Sequence, residues 1–347
     1  MRIAMMSAWN TDSGVAVHAE PIGRAWIEMG HKLNVFSFIK DDFHGKGFTG
    51  EDEDYVIRCF GTQEHTNLLD PRPILTTDFD IFIVQDLRML PVEKLAKVFS
   101  LIKHRARTVH IVHENKLPEE TWFYQFDWDK VVYFVERQDF LKEIYTDAKL
   151  ISFPCFKTRK EDKIEARKRL ELPLDKKIIY SFGQRDYHPY LRNLPEEIKD
   201  KAVLLHVIAK EHQILEETAP PDWMIVRRED VLSRERFDDY LFASDAAIFH
   251  KFQSGYSAVI SSTVFQALGC GCPIFVPRQS DYFHTLQNEV IRYGDTEELN
   301  KKLLELIEDE EAYKRNQDIA EGFVLMNSPE KIAERYIRLF TEVLRAR

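Results

Sequence analysis

The first strand-like run of the chain and the turn that follows it read Ile3-Ala4-Met5-Met6-Ser7-Ala8-Trp9-Asn10-Thr11-Asp12-Ser13-Gly14. The run from Ile3 to Ala8 is short and apolar, as is typical of a buried strand. After the polar turn, one helical face carries Ile22, Ala25, Trp26 and Met29. A strand, a polar turn and an amphipathic helix in this order predict the opening unit of a parallel α/β sheet. Pro21 predicts that the helix either kinks or begins at that residue.

The same alternation of apolar runs and helical segments continues along the chain. In the first half, further strands are predicted at 33–38, 80–84, 108–112, 131–134 and 149–153. In the second half, strands are predicted at 177–182, 202–208, 224–226, 246–249, 273–276 and 290–292, with helices near 233–243 and 262–268. Continuous apolar strands between amphipathic helices are typical of parallel sheets that are covered on both faces. The predicted fold is therefore α/β, with two Rossmann-like, doubly wound domains facing a cleft.

The length and composition fit two soluble domains. A chain of 347 residues exceeds the usual size of one domain, and the polar segment Pro154 to Lys163 is the best candidate linker. The four cysteines have no zinc-ligand spacing and are expected to be reduced thiols. The N-terminus has no secretory pattern, and every apolar run is well short of the roughly 20 residues that span a bilayer. We therefore expect a cytoplasmic protein.

Charge argues against two classes of partner. The 48 basic and 58 acidic residues give a net charge of -10, which does not favour a broad nucleic-acid surface. The segment Lys94 to Arg107 surrounds an apolar face with cations, which is a pattern that can touch anionic lipid. It is more typical of a sheet-covering helix whose cations lie near its C-terminus, so membrane contact is not expected.

Three loops carry side chains or backbone suited to a ligand. Ser13-Gly14 lies at a predicted helix start, where a missing Cβ lets the backbone approach a bound group. His113 lies where a predicted strand ends, and its imidazole can hydrogen-bond a sugar hydroxyl, whereas His110 is interpreted as a core residue and Glu114 as an equally plausible solvated charge. Arg185 follows another strand, where a guanidinium suits phosphate oxygens.

A fourth segment is richer in small residues and runs from Ser254 to Pro273. It predicts a loop, a helix start and a glycine-rich turn into a strand. Exposed amides at such a helix start bind anions without a lysine, although a tightly packed helix explains the same composition. The glycine turn at Gly14 also has a purely structural explanation. It is not a GxGxxG motif, so a nicotinamide cofactor is not expected.

In this order, the motifs resemble those of the retaining glycosyltransferases of family 4, which have the GT-B fold. The resemblance covers nearly the whole chain. It includes the Ser13-Gly14 loop, the "GH-x-V-x-V" strand at Gly30 to Val35, the linker entry at Ser152 to Pro154, the "aD" strand at Ser244 to Phe249 and the "EA-x-x-x-G-x-P" signature at Gln266 to Pro273.

The resemblance implies domains and roles. It implies an acceptor-side domain at 1–155, a nucleotide-sugar-binding domain at 156–328 and a C-terminal helix at 329–347 that returns to the first domain. Gly14 would approach the donor, His113 would lie beside the transferred sugar and Arg185 would bind the diphosphate. The loop residues Ser254, Gly255 and Tyr256 would line the donor site, and Ser257, Ala258 and Val259 would offer amides to the distal phosphate. Gln266 would replace the glutamate that holds the ribose hydroxyls.

The sequence departs from the family at its Glu-x7-Glu pair. Gln266 stands in the place of the second glutamate, and counting back eight residues reaches Ala258, or a shift of four aligns Ser254 instead. The predicted activity is transfer of a hexose-type sugar from a nucleotide-diphosphate sugar to an unidentified acceptor, with retention, without a metal and without a further cofactor. The alternatives are a nucleotide-sugar epimerase or hydrolase, which needs a carboxylate pair, and a catalytically silent nucleotide-sugar-binding protein, which the missing glutamates favour.

Overall fold

A computed structural model describes residues 1–40, 47–61, 68–156, 161–183, 194–209, 220–229, 232–251 and 258–346. The chain forms two compact units. Unit 1 comprises Met1–Pro154, Tyr256–Val259 and Asn327–Arg347. Unit 2 comprises Cys155–Gly255 and Ile260–Met326.

Unit 1 is built on a seven-stranded parallel sheet. Its strands are β1 (Arg2–Met6), β2 (Lys32–Phe38), β3 (Val56–Phe60), β4 (Ile81–Gln85), β5 (Arg107–Ile111), β6 (Lys130–Tyr133) and β7 (Lys149–Leu150). They lie in the order β3-β2-β1-β4-β5-β6-β7. Met5 in the central strand pairs with Val35 on one side and Ile83 on the other, and all three are fully buried.

Four α-helices accompany this sheet within the described residues. They are α1 (Gly14–Glu28), α2 (Arg72–Thr76), α3 (Val92–Arg105) and α10 (Pro329–Arg345), with 3-10 turns at 87–89, 121–125 and 136–143. The apolar face of α10 packs on α1, where Trp26 makes edge contacts with the rings of Tyr336 at 5.9 Å and Phe340 at 5.4 Å. The Trp26 indole N–H also donates to the Ala333 carbonyl at 3.3 Å.

Unit 2 has a six-stranded parallel sheet in the order β10-β9-β8-β11-β12-β13. Its strands are β8 (Lys177–Gly183), β9 (Ala202–Ala209), β10 (Met224–Glu229), β11 (Ala246–Ile248), β12 (Ile274–Pro277) and β13 (Ile291–Tyr293). Its helices in the described part are α4 (Lys163–Arg169), α5 (Glu196–Lys201), α6 (Arg234–Ala243), α7 (Ser262–Leu268), α8 (Thr296–Glu308) and α9 (Glu310–Met326).

The strand order reverses once in each unit. In unit 1 the chain moves outward from β1 through β2 to β3 and then returns to place β4 on the other side of β1. In unit 2 it moves outward from β8 and returns to place β11 beside β8. In open parallel sheets, ligands bind beyond the carboxyl ends of the strands at such a reversal. The fold therefore identifies two places where a ligand is expected to bind. They are the carboxyl ends of β1 and β4 in unit 1, and those of β8 and β11 in unit 2.

The predicted α/β class with two parallel sheets is confirmed, and most strands shift by only one or two residues. One strand was missed, because β3 carries Arg58 in its middle and lies at the edge of the sheet, so it lacks a continuous apolar run. The alternative that the first helix begins at Pro21 is wrong. The helix α1 begins at Gly14 and contains Pro21, whose missing N–H removes one helical hydrogen bond.

The basic segment forms α3, which buries Leu95, Phe99 and Ile102. Lys103 at its end pairs with Asp127, and the Arg105 guanidinium lies 5.1 Å from the centre of the Phe79 ring. These contacts support the interpretation of α3 as a sheet-covering helix. None of the helices in the described ranges has the length and apolar character needed to cross a membrane.

Two glycines of the predicted signature have structural roles in unit 2. Gly271 adopts φ +69° in the turn between α7 and β12, a conformation that favours glycine. A Cβ placed on Gly269 would lie 2.1 Å from the Phe156 carbonyl oxygen. The close approach of this backbone segment to α7 therefore requires a residue without a side chain.

We expect Gly269→Ala to destabilise unit 2 by about 1 to 3 kcal/mol, because a backbone carbonyl has to move to accommodate the methyl group. Gly322→Ala is the matched control, since a Cβ there meets nothing within 4 Å and the residue lies inside α9. That control should be neutral or stabilise by up to about 1 kcal/mol through helix propensity. Chemical denaturation of the full chain measures both, and an unchanged Gly269→Ala transition would contradict the close approach.

Candidate functional site

The loop from β1 to α1 is anchored through Asn10, which adopts φ +53° although it is not glycine. Its side-chain N–H groups donate to the Glu51 carbonyl at 2.9 Å and to the Glu53 carboxylate at 3.1 Å. Its side-chain oxygen accepts from Arg24 at 3.0 Å, and its backbone N–H donates to Glu20 at 2.6 Å. This partly buried network stabilises a left-handed residue and fixes the loop that precedes α1.

Ser13 and Gly14 lie at the start of α1, as the sequence predicts. Ser13 is the N-cap residue, and its hydroxyl accepts from the Ala16 N–H at 3.2 Å. Gly14 is the exposed first residue of the helix, and its backbone is not in the left-handed region. The conformation therefore does not require glycine at this position, and close approach of a ligand stays the predicted reason for it.

His113 follows β5 and is half-buried. Its ring contacts the Phe134 ring at 4.9 Å and the fully buried His18 ring of α1 at 5.4 Å. Its Nε2 lies 3.1 Å from the Gln85 side-chain oxygen at the end of β4, and His18 Nδ1 lies 2.8 Å from the same oxygen. His113, the end of β4 and the first half of α1 therefore meet at one edge of the sheet.

Burial keeps these imidazoles neutral. It lowers the pKa of His113 well below its ordinary value, and the neighbouring His18 and His110 lower it further. Burial also lowers the pKa of His18 to about 4, although its hydrogen bond to Gln85 acts in the opposite direction. The predicted core position of His110 is confirmed, since it is fully buried and burial lowers its pKa to about 3.

Glu114 lies beside His113 and is not a solvated charge, because only 5% of the residue is exposed. One carboxylate oxygen accepts from the His113 backbone N–H at 3.1 Å, and the other is buried without a hydrogen-bond partner among the described residues. Burial, followed by the nearby charge of Asp86, raises the pKa of Glu114 to about 8. Asp86 itself adopts φ +52° directly after β4, and such strain is common at functional sites.

Two of the predicted phosphate-binding amides lie in the described part of the chain. Ala258 is buried in unit 1, and its N–H donates to the Asn115 carbonyl at 3.1 Å, next to Glu114. The prediction that this amide is available to a phosphate therefore differs from the structure, in which the amide is already bonded. Val259 follows it and is half-buried.

The predicted site residues Arg185, Ser254, Gly255, Tyr256 and Ser257 lie outside the described residues. The strands that precede them are described and pair with each other. Ala246 and Ile248 of β11 pair with Ile179 and Ser181 of β8, so these parallel strands end side by side at the reversal of unit 2. The chain passes from these two strand ends directly into the two predicted donor-binding segments.

Gln266 is half-buried on α7, a helix of 7 residues. Ser261 is the N-cap residue, but its hydroxyl makes no cap hydrogen bond and is buried without a partner in the described structure. The helix predicted near 262–268 is confirmed, since α7 begins at Ser262 and ends at Leu268. Because these positions are all in unit 2, Gln266 shares a unit with the segment that contains Arg185.

Sequence reasoning missed several polar residues at the strand ends. Gln85 and Asp86 form a polar pair directly after the buried run at 81–84, which is the signal that identifies them in hindsight. His18 is harder to find, because it lies on the apolar face of α1. In unit 2, His250 follows β11 and is hydrogen-bonded through Nδ1 to the Tyr293 hydroxyl at 2.5 Å.

The Asp245 of the "aD" strand has a structural role. It lies at the amino end of β11, and it pairs with Lys163 at 2.6 Å and with the buried Arg167. Its carboxylate also accepts from the Ile178 N–H at 2.8 Å. Burial alone would raise the pKa of Asp245, but these cations and hydrogen bonds hold it below its ordinary value. The residue ties α4 to the sheet at the edge opposite the carboxyl ends of the strands.

The chain contains three Asp-x-Asp tripeptides, at 52–54, 78–80 and 127–129, although the expectation of a metal-independent site assumed that no Asp-x-Asp motif indicates a metal. In each, one aspartate is engaged by arginine: Asp52 by Arg58 at 2.7 Å, Asp80 by Arg2 at 2.7 Å and Asp129 by Arg107 at 2.9 Å. Across the described ranges, no three His, Cys, Asp or Glu residues are grouped to hold a metal ion. These tripeptides are explained as ion pairs.

No protein-family profile matches the chain. Among solved structures, it is similar to sucrose-phosphate synthase from Thermosynechococcus elongatus, with a TM-score of 0.63 and 14% identity over 100% of both chains. It is similar to a glycosyltransferase from Rickettsia africae, with a TM-score of 0.65 and 13% identity over 99% and 98% of the two chains. An alpha-glucosyltransferase in complex with UDP and DNA matches with a TM-score of 0.66 and 15% identity over 98% and 99%.

These likenesses cover the full length of the chain at low sequence identity, so they show the fold. The chain has the GT-B architecture, as the sequence predicts. Membership of glycosyltransferase family 4 stays a prediction.

Glu114→Gln tests the buried carboxyl group. The raised folded-state pKa means that native Glu114 holds a proton that the unfolded chain releases, so its stability contribution is complete below about pH 4.5 and is lost as the pH rises towards 8. We expect the glutamine variant to be more stable at pH 8 by about 1 to 3 kcal/mol and to weaken the pH dependence between pH 5 and 8. Thermal unfolding as a function of pH measures this.

Glu119→Gln is the matched control, because the Glu119 side chain is 88% exposed. Its stability should follow that of the wild-type chain at every pH. Lower stability of Glu114→Gln at pH 8 would contradict the buried, protonated state.

Proposed function

We propose that the chain is a glycosyltransferase that moves a hexose-type sugar from a nucleotide-diphosphate sugar to an acceptor, with retention and without a metal ion or further cofactor. The observation that carries this proposal is the full-length likeness to several glycosyltransferases of the GT-B fold. The UDP named for one of them supports a nucleoside diphosphate as the recognised group. In the same proposal, the protein works in the cytoplasm.

The positions of Arg185 and of Ser254 and Gly255 support a donor site in unit 2, whereas Tyr256–Val259 is grouped with unit 1. Arg185 and the segment Ser254 to Val259 follow β8 and β11, the two strands at the reversal of the sheet. A guanidinium at this edge suits diphosphate oxygens, and free backbone N–H groups suit the same charge. In the proposal, Gln266 on α7 binds the ribose hydroxyls of the donor.

In the proposed reaction, the bond from the anomeric carbon to the diphosphate oxygen breaks. The acceptor hydroxyl oxygen forms the new bond on the same face of the sugar, and its proton passes to the departing diphosphate oxygen. Negative charge develops on the diphosphate, where Arg185 and backbone amides stabilise it. Ala258 contributes its amide only after its hydrogen bond to the Asn115 carbonyl opens, so donor binding and this contact exclude each other.

Residues of unit 1 carry two further roles in the proposal. His113, neutral because of its burial, hydrogen-bonds a hydroxyl of the transferred sugar, and Gly14 leaves space for the donor at the start of α1. Unit 1 also binds the acceptor in this proposal. The half-buried Asp86 lies at the same strand ends, where a carboxylate can hydrogen-bond an acceptor hydroxyl.

A silent nucleotide-sugar-binding protein is the second candidate. It is favoured by the absence of both carboxylates of the Glu-x7-Glu pair, since Gln266 occupies one position and either Ala258 or Ser254 the other. Ala258 is moreover already hydrogen-bonded within unit 1. Binding without turnover for any donor and acceptor would favour this candidate.

A thermal-shift titration with UDP, GDP and ADP tests recognition. We expect one of the three to raise the Tm by mass action, and we expect Arg185→Ala to weaken its affinity about tenfold or more, because a charged hydrogen bond to phosphate is lost. Arg315→Ala is the control, since Arg315 is an exposed arginine of the same unit. If no nucleotide shifted the Tm, the transferase proposal would be contradicted.

Turnover is then measured with the nucleotide sugars of the recognised base, with and without EDTA. The proposal expects equal rates in both conditions and a product with the donor's anomeric configuration. Strict dependence on a divalent metal, or an inverted product, would contradict the corresponding part of the proposal.

Gln266 variants separate recognition of the nucleoside from recognition of the diphosphate. We expect Gln266→Ala to weaken nucleoside diphosphate binding about tenfold, while Gln266→Glu retains or strengthens it, because a carboxylate accepts from both ribose hydroxyls. Inorganic pyrophosphate binding should be the same in all three proteins. Equal weakening of pyrophosphate and nucleotide binding by Gln266→Ala would contradict the ribose assignment.

A further inference from the structure

Gln85 is shared by two histidines at the carboxyl edge of the unit 1 sheet. Its side-chain Oε1 lies 2.8 Å from His18 Nδ1 and 3.1 Å from His113 Nε2. Gln85 is 1% exposed and His18 is fully buried, whereas His113 is half-buried. The contact therefore links a buried glutamine to an imidazole that is partly exposed.

The orientation of the Gln85 amide follows from its third neighbour. Its Nε2 lies 3.1 Å from the Met5 thioether sulfur. A thioether accepts hydrogen bonds but cannot donate them, so the amide NH2 group faces the sulfur. The carbonyl oxygen is then the atom that faces both histidines.

This orientation decides the tautomer of each imidazole. A carbonyl oxygen only accepts, so both ring nitrogens that face it carry protons. His18 is therefore protonated at Nδ1, and its Nε2 is a buried lone pair without a hydrogen-bond partner in the described structure. His113 is protonated at Nε2, which leaves its Nδ1 as a lone pair.

The surroundings of His113 favour the neutral ring. Besides Gln85, its described ring contacts are the uncharged His18 and the Phe134 ring. The nearby carboxyl group of Glu114 bonds the backbone N–H of His113 and not its ring. The imidazole thus presents an acceptor and neither a cation nor a second donor.

We propose that Gln85 is a positioning residue, which holds His113 in the Nε2–H tautomer so that Nδ1 accepts a hydrogen bond from a substrate hydroxyl. The use of this acceptor rests on the proposed transferase function, but the tautomer itself does not. A group that only accepts hydrogen bonds, such as a phosphate oxygen or a carbonyl, does not match Nδ1. The geometry therefore assigns His113 to a hydroxyl of the sugar or acceptor and not to the diphosphate.

Nitrogen-15 NMR of the full chain with labelled histidine tests the tautomer without substrate. His113→Asn and His18→Asn identify the two sets of signals. We expect His113 to show a protonated, pyrrole-type Nε2 and a pyridine-type Nδ1 at neutral pH, and His18 to show the opposite pattern. A protonated Nδ1 or a charged ring in His113 would overturn the proposal.

Two substitutions separate positioning from packing. Gln85→Glu keeps the acceptor oxygen, so we expect the Nε2–H tautomer of His113 to persist and its pKa to rise towards the ordinary range beside the new charge. Gln85→Leu keeps much of the volume but removes the acceptor, so the two tautomers should mix. An unchanged tautomer in folded Gln85→Leu would overturn the proposal, and if that variant does not fold, the wild-type and Gln85→Glu spectra decide.

Activity distinguishes this inference from the proposed function. With a substrate in hand, Gln85→Leu should lower kcat/KM about tenfold to a hundredfold, while Gln85→Glu should retain more activity at high pH and show an altered pH profile. Absence of nucleotide binding in the wild-type chain contradicts the transferase function and leaves the tautomer result standing. An active enzyme with the opposite His113 tautomer contradicts only the role of Gln85.

Discussion

The reversal of strand order is the constraint on which both candidate sites depend. Parallel strands need crossover connections, and crossovers in opposite directions from two adjacent strands leave their carboxyl ends uncovered between them. In unit 1 this happens at β1 and β4, and in unit 2 at β8 and β11. Residues far apart in sequence meet there for topological reasons, as Gln85 and His18 do across 67 positions.

The carboxyl edge of the unit 1 sheet contains several groups whose burial or backbone conformation is energetically unfavourable. His18 Nε2 and one Glu114 oxygen are buried without a hydrogen-bond partner in the described residues, and Asp86 and Asn10 have positive φ angles. Each costs about 1 to 3 kcal/mol in general. The surrounding structure offsets this cost through the Asn10 network, the Gln85 amide and the apolar sheet below them.

The sequence predicts the architecture well because parallel strands are buried on both faces and appear as uninterrupted apolar runs. Ile81 to Val84 and Ile178 to Tyr180 are found in this way. The edge strand β3 escapes because Arg58 interrupts it, and its guanidinium is buried by pairing with Asp52, a contact that no local pattern reveals.

The candidate site is predicted only in part, for a related reason. His113 is identified because it follows a clear strand, and Ser13 because it precedes a clear helix. Gln85 and His18 can be recognised as candidate site residues only when their contact is known, since neither residue is unusual within its own segment. Glu114 is misinterpreted because a charge beside a loop is usually solvated, and its burial depends on long-range packing.

The glycine-rich signature and the missing carboxylates carry different information. Gly269 is required by the Phe156 carbonyl and Gly271 by its left-handed backbone, so both would remain in a protein that had lost catalysis. The signature therefore reports the fold of unit 2. Sugar transfer depends instead on backbone amides and on side chains such as those of Gln266 and Arg185. Packing does not require these groups. The proposed pair of Gln85 and the half-buried His113 is of this second kind, because two apolar side chains in their place would pack without polar atoms that need hydrogen-bond partners.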